Sequence, residues 1–98
     1  MKTNKRMLGA KYPASVAYQA PLKLVVTFVS GEVGVLDLGM LAVNAPKTDW
    51  TKPLSDADLA KTAYVTDNGD IAFSNRFDIW GGEVKKLIEA QRGQHGKD

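Results

Sequence analysis

Substrate chemistry needs a group that can move a proton or attack a carbon, held still by a rigid scaffold. The one imidazole in the chain, His95, sits in the polar run Gln94-His95-Gly96 near the end, where fraying leaves a side chain in water. Asp49, Asp56, Asp58, Asp67 and Asp70 would have to converge in pairs to do acid and base work. Each is better explained by a neighbouring turn or helix start. Ser15, Ser30, Ser55 and Ser74 lack the context of an activated nucleophile, and no placed histidine serves them. Asp67, Asn68 and Asp70 cluster oxygens as a calcium loop does, but the further alternating ligands and the closing Glu are missing. A plain hairpin turn explains them. Gly31, Gly34 and Gly39 lack the order of a phosphate-cradling loop. With no cysteine, the chain has neither thiolate nucleophile nor disulfide nor sulfur-ligated zinc. The expected catalytic, metal and cofactor sets are all empty.

Two groups of residues remain that could bind rather than transform. Phe77, Ile79 and Trp80 crowd beside Gly81-Gly82, and Trp50 lies in a polar loop. Packing beneath a helix accounts for such a cluster in the ordinary case; the alternative is an aromatic anchor for a protein partner. Lys2, Lys5, Arg6 and Lys11 open the chain without one acid among them. They are a candidate nucleic-acid contact whose affinity would fall steeply with salt. From Tyr12 to Gly82 the balance reverses, with five basic against eight acidic residues. No helix with Arg, Asn and Gln on one face is visible there, so a solvated arm is the competing reading.

The elements that would position these groups follow from periodicity. Residues 1–14 are expected as a mobile basic arm, residues 15–93 as a single α+β domain and residues 94–98 as a disordered tail. Ser15 to Ala20 alternates and stops at Pro21, as a short edge strand does. Leu22, Leu24, Val26 and Phe28 share the buried face of the next strand, expected from Leu22 to Val29, and Ser30-Gly31 suits a two-residue hairpin. That register pairs Phe28 with Val33, Val26 with Val35 and Leu24 with Asp37. Asp37 stands where its carboxylate can cap the turn Leu38-Gly39-Met40-Leu41. Val43 to Pro53 reads as a loop, pinned by Trp50. Ser55 as N-cap with Asp58 three residues on, and Leu54 and Leu59 as a staple, open a short helix. Asn68-Gly69 favours a type I′ hairpin that puts Tyr64, Thr66, Ile71 and Phe73 on one face. Val84, Leu87, Ile88 and Gln91 form the stripe of a last helix from Gly82 to Arg92, ended by Gly93. The expected fold is thus α+β: a small mixed or antiparallel sheet of two hairpins plus an edge strand, with two helices, one of them short.

Composition agrees with one globular core: 98 residues, 44% hydrophobic and 24% charged, with net charge +2. No apolar run approaches the ~20 residues of a membrane span, and no apolar stretch follows the basic start. The expected setting is the cytosol, with no membrane contact, as a monomer or a homodimer.

From Ser15 to about Ala90 the chain resembles the bacterial domain of unknown function 2442 family. The matching residues are Leu24, Val26, Phe28, Gly31-Glu32, Val35 and Asp37-Leu38, then Pro53-Leu54, Asp56, Leu59, Tyr64-Val65, Gly69, Ile71, Asn75 and Asp78-Ile79. Where such proteins usually carry Trp-Pro-Asn-Gly this chain reads Phe73-Ser74-Asn75-Arg76, and Gly81-Gly82 replaces Pro and acidic residues. The resemblance implies a small bacterial or phage protein, stand-alone or set ahead of a helix-turn-helix, or beside another small protein as in toxin–antitoxin pairs. The functional expectation is a non-enzymatic protein-interaction domain, antitoxin-like or otherwise a regulatory or inhibitory partner. The alternative is a nucleic-acid-binding accessory protein acting through the basic arm.

Overall fold

Alternating apolar residues and short turns produce two small antiparallel sheets, as seen in a computed structural model that describes residues 9–96. The first has the order β1-β2-β3, from Pro13–Gln19, Lys23–Phe28 and Val33–Asp37; the second, β4-β5-β6, is built from Tyr64–Val65, Ile71–Ala72 and Asp78–Ile79. Helix α1 (Leu38–Asn44), a 3-10 turn over Lys52–Leu54 and helix α2 (Ala57–Ala60) connect the sheets, and helix α3 (Gly81–Gly96) closes the chain. The architecture is a small α+β fold with two three-stranded sheets in place of one, and with α1 as an additional helix. Leu24, Val26 and Phe28 from the first sheet meet Ile71, Phe73 and Ile79 from the second and Val84 and Ile88 from α3 in one core.

Every hairpin turns through three residues. Phe28 N–H donates to the Glu32 carbonyl at 2.8 Å and Gly31 N–H to that of Phe28, so Val29, Ser30 and Gly31 form the loop. The same pair of bonds recurs from Thr66 to Asp70 and from Phe73 to Phe77. In each, the third loop residue enters the left-handed region, at φ +94° for Gly31, +84° for Gly69 and +75° for Arg76. The β1–β2 loop, Ala20 to Leu22, ends likewise with Leu22 at +53°. This is the three-residue hairpin with a bulge, which ordinarily takes glycine at its last position. Leu22 is held there from both sides: its N–H donates to Tyr18 Oη at 3.1 Å, and its carbonyl accepts from Leu38 N–H at 2.8 Å.

The third loop residue shifts both expected registers by one. Val26 faces Gly34 and Leu24 faces Leu36, which sends Leu36 and Leu38 inward and Val33 and Val35 outward. In the second sheet Val65 faces Ile71, so Ile71 and Phe73 are buried while Tyr64 points to solvent. Asp37 does cap α1, accepting from Met40 N–H at 3.2 Å. Helix α2 is capped by Asp56, not Ser55: Asp56 accepts from the N–H groups of Asp58 and Leu59. Ser55 N–H instead closes the 3-10 turn that Lys52 begins, bonding the Lys52 carbonyl.

The described residues carry the fold past both expected bounds. Gly9 to Ala14 belong to the fold: the carbonyls of Ala10 and Tyr12 accept from Ser30 and Val29 N–H, and β1 begins at Pro13. Lys2, Lys5 and Arg6 lie outside the described residues. Helix α3 passes through Gly93 to Gly96, beyond the expected end at Arg92. One glycine costs a helix only about 1 kcal/mol, too little to stop it.

Helix α3 ties the sheets together. Ile88 presses on Gly34, where a Cβ would come within 3.1 Å of its Cδ1. Gln91 accepts from Asp37 N–H at 2.9 Å and donates to the Asp37 carbonyl at 3.0 Å. Lys85 meets Glu32 at 2.9 Å; that hydrogen bond holds the Glu32 carboxyl below its ordinary value and the Lys85 ammonium above its own. The contact is exposed and contributes little. What it gives is lost as pH falls through Glu32's lowered value or rises through Lys85's raised one.

Arg76 is exposed and makes no ion pair among the described residues. A Cβ in the left-handed region costs roughly 1–2 kcal/mol, partly offset by the extra chain entropy of glycine in the unfolded state. Arg76→Gly is therefore expected to raise stability by about 0.5–1 kcal/mol in urea unfolding, while Gly69→Ala lowers it.

Candidate functional site

Strand alternation places the cluster Phe77 to Trp80. Ile79 points inward opposite Ile71 and joins the core, so Asp78 and Trp80 point outward. Phe77 is half-buried, between Trp50 edge-on at 5.6 Å and Phe73 at 5.8 Å between ring centroids. The expected partner-binding set thus divides into Ile79 in the core, a Phe77–Trp50 stack, and Trp80 apart from them. Trp50 is 52% exposed and Trp80 63%. Trp50 is held through its backbone, with Asn75 Nδ2 donating to the carbonyls of Asp49 and Trp50 at 3.0 and 3.2 Å.

Trp80 stands on the more tightly determined ground. Its carbonyl accepts from Glu83 N–H in the first turn of α3, and Asp70 Oδ1 accepts from Gly81 N–H at 2.7 Å. A Cβ on Gly81 would overlap the Gly69 carbonyl oxygen, so only glycine lets the helix begin against that hairpin. The Asp67-Asn68-Gly69-Asp70 turn, weighed as a cation loop, has Asp70 committed to the helix start, and Thr66 Oγ1 accepts from the N–H groups of Asn68 and Asp70. Among the described residues no three His, Cys, Asp or Glu side chains gather as metal ligands.

The space above Gly82 brings together residues from both candidate groups. A Cβ there would lie 3.6 Å from Tyr12 Oη and 3.7 Å from the Trp80 ring. Lys11, the one described member of the basic set, holds its ammonium 5.9 Å from the Tyr12 ring centre. The half-buried Tyr12 thus lies beside the exposed Trp80 on one side and the Lys11 ammonium on the other. Tyr12 escapes sequence reasoning because it lies in the polar stretch assigned to the arm. Its aromatic type just before Pro13 is the only local signal.

A recess of about 320 Å³ between α1 and the 3-10 turn is lined by Ala42, Ala45, Lys47, Thr51 and Leu54 among others. Its hydroxyls are engaged within the loop: Thr51 Oγ1 donates to the Pro46 carbonyl at 2.6 Å and lies 3.3 Å from Thr48 Oγ1. No helix among the described residues is long and apolar enough to cross a membrane. No family model matches the chain, and no curated protein or solved structure is similar to it.

If Asp70 positions Trp80 by capping α3, Asp70→Ala is expected to lower stability by about 1 kcal/mol. Asp67→Ala, at an exposed loop position, should stay within about 0.5 kcal/mol of the parent chain. Chemical unfolding followed by tryptophan fluorescence measures both.

Proposed function

We propose that this chain is a non-enzymatic protein-interaction domain that presents Trp80, with Tyr12 beside it, to another small protein. The observation that carries this is the 63% exposure of an indole whose backbone is fixed by the Asp70 cap and the Gly69–Gly81 contact. Large aromatic residues on rigid supports dominate the energetics of protein interfaces, because little conformational entropy is lost when they are buried. The carboxylates of Asp37, Asp56 and Asp70 accept from backbone amides in caps, which favours scaffolding over acid and base work.

The finer reading, an antitoxin-like or regulatory partner in the bacterial cytosol, rests on the resemblance to the domain of unknown function 2442 family. Arg76 supports that resemblance: where the family carries glycine, this chain holds a φ of +75°, a conformation that glycine adopts freely. Co-expression with the product of the adjacent gene tests the proposal. The intact chain is expected to co-purify with that product, and Trp80→Ala to weaken the complex about 30-fold, as for a central aromatic anchor. Equal binding by Trp80→Ala, or catalytic turnover by the isolated chain, contradicts it.

A second reading is favoured by the position of Lys11. An ammonium over the ring of Tyr12 is the pairing of charge and aromatic face that suits a single-stranded nucleic acid. On that reading affinity for an oligonucleotide drops steeply between low and moderate salt and is lost on removal of residues 1–11. Salt-independent binding counts against it.

A further inference from the structure

The two edges of the first sheet are not covered alike. Strand β1 lies against β4, whereas β3, packed on by α3 and bonded by Gln91 at Asp37, keeps its edge open beside Val33 and Val35. Phe28 N–H bonds the Glu32 carbonyl, and Leu38 N–H bonds that of Leu22. Between these two bonds an antiparallel ladder alternates, so Gly34 and Leu36 turn their backbone groups to β2. Val33, Val35 and Asp37 turn theirs to the free edge. Gln91 confirms the direction, since its amide reaches the outward N–H and carbonyl of Asp37 and makes the two bonds a neighbouring strand would make there. Val33 and Val35 have no such partner among the described residues, and their side chains are 56% and 43% exposed. Beside them runs a groove of about 270 Å³ whose other wall is Ile88, Gln91 and Arg92 of α3.

We propose that an extended, acidic peptide segment of a partner protein pairs with Val33 and Val35 in this groove, adding a fourth strand to the first sheet. Backbone groups pointing into a groove between a strand and a helix are the arrangement used for strand addition, where main-chain bonds supply affinity and the walls select side chains. The acidic character follows from charge. Lys23, opposite Asp37 on β2, and Arg92, which also reaches the surroundings of Glu32 and Glu89, line the groove with no ion pair of their own among the described residues, while Glu32 is paired with Lys85 and the Asp37 carboxylate is engaged by Met40 N–H. The helix argues against a second copy as occupant. Because Gln91 bonds the edge itself, α3 overhangs β3, and a two-fold β3–β3 pairing would bring two such helices into the same space. A bare strand has no such conflict.

This surface is distinct from Trp80, and a peptide can occupy it whether or not Trp80 meets a partner. The probe is a soluble peptide about ten residues long that alternates valine with threonine and carries two glutamates. Amide hydrogen exchange at Val33 and Val35 is expected to be fast in the free chain and to slow when the peptide is added. Val35→Pro removes one outward N–H and no bond to β2, and should weaken binding roughly tenfold. Lysines in place of the glutamates should weaken it about threefold. Trp80→Ala should leave peptide binding unchanged. No slowing at peptide excess overturns the proposal, as does equal binding by Val35→Pro or loss of binding in Trp80→Ala. Slowing that appears without peptide as protein concentration rises, with a dimeric mass, also overturns it by making the occupant a second copy. Should Val35→Pro fail to fold, the exchange measurement on the unaltered chain decides alone.

Discussion

Helix α3 is bound to both sheets, and the rest of the molecule depends on that double attachment. At its start Asp70 caps Gly81 from the second sheet, and the Gly69 carbonyl packs where a side chain would otherwise project. Further along, Ile88 enters the notch at Gly34, and Gln91 holds the backbone of Asp37 at the end of β3. Neither sheet can bury its inner face alone, and the two-residue pairings of the second are marginal in water. Packed against one helix they share a core, with Leu24, Phe73 and Val84 drawn from the three parts and each essentially excluded from solvent.

Much of this was legible residue by residue, while the distances between elements were not. The alternation Leu24, Val26, Phe28 and the cap at Asp37 follow from local chemistry and appear as expected. Gly31 and Gly69 are visible as turn positions, but loop length is not. Val29 and Asp67 suit either the last place of a strand or the first place of a loop. The run Val33-Gly34-Val35-Leu36 is apolar on both faces apart from the glycine, so alternation could not choose between two registers. Packing chose: Gly34 makes room for Ile88, and Leu36 fills the core better than Val35. Leu22 and Arg76 in the left-handed region have no sequence signature, because bonds from distant residues and loop closure hold them there.

The candidate surfaces show the same division. Once Ile79 is assigned to the core, the exposure of Trp80 follows from alternation alone. Its neighbour Tyr12 could not be found that way, because Ala10 and Tyr12 are fixed by amides at the β2–β3 loop. Gln91 stood in the apolar stripe of α3 beside Val84 and Ile88, and a polar residue in such a stripe asks for a partner. The partner is a backbone 54 residues away in sequence, a contact only tertiary structure reveals. The carboxylates of Asp37, Asp56 and Asp70, the hydroxyls of Thr62 and Thr66 and the amides of Asn75 and Gln91 complete turns, caps and strand ends.

Residue-resolved hydrogen exchange on Gln91→Ala tests the double attachment most directly. Removing the amide leaves the Asp37 N–H and carbonyl without their partner, at a cost of about 1–2 kcal/mol. If α3 makes one cooperative unit of the two sheets, the bonded amides of Phe28 in the first and Phe73 in the second lose the same protection. A loss confined to Phe28, with Phe73 unchanged, would mean that the sheets open independently and that α3 is not what joins them.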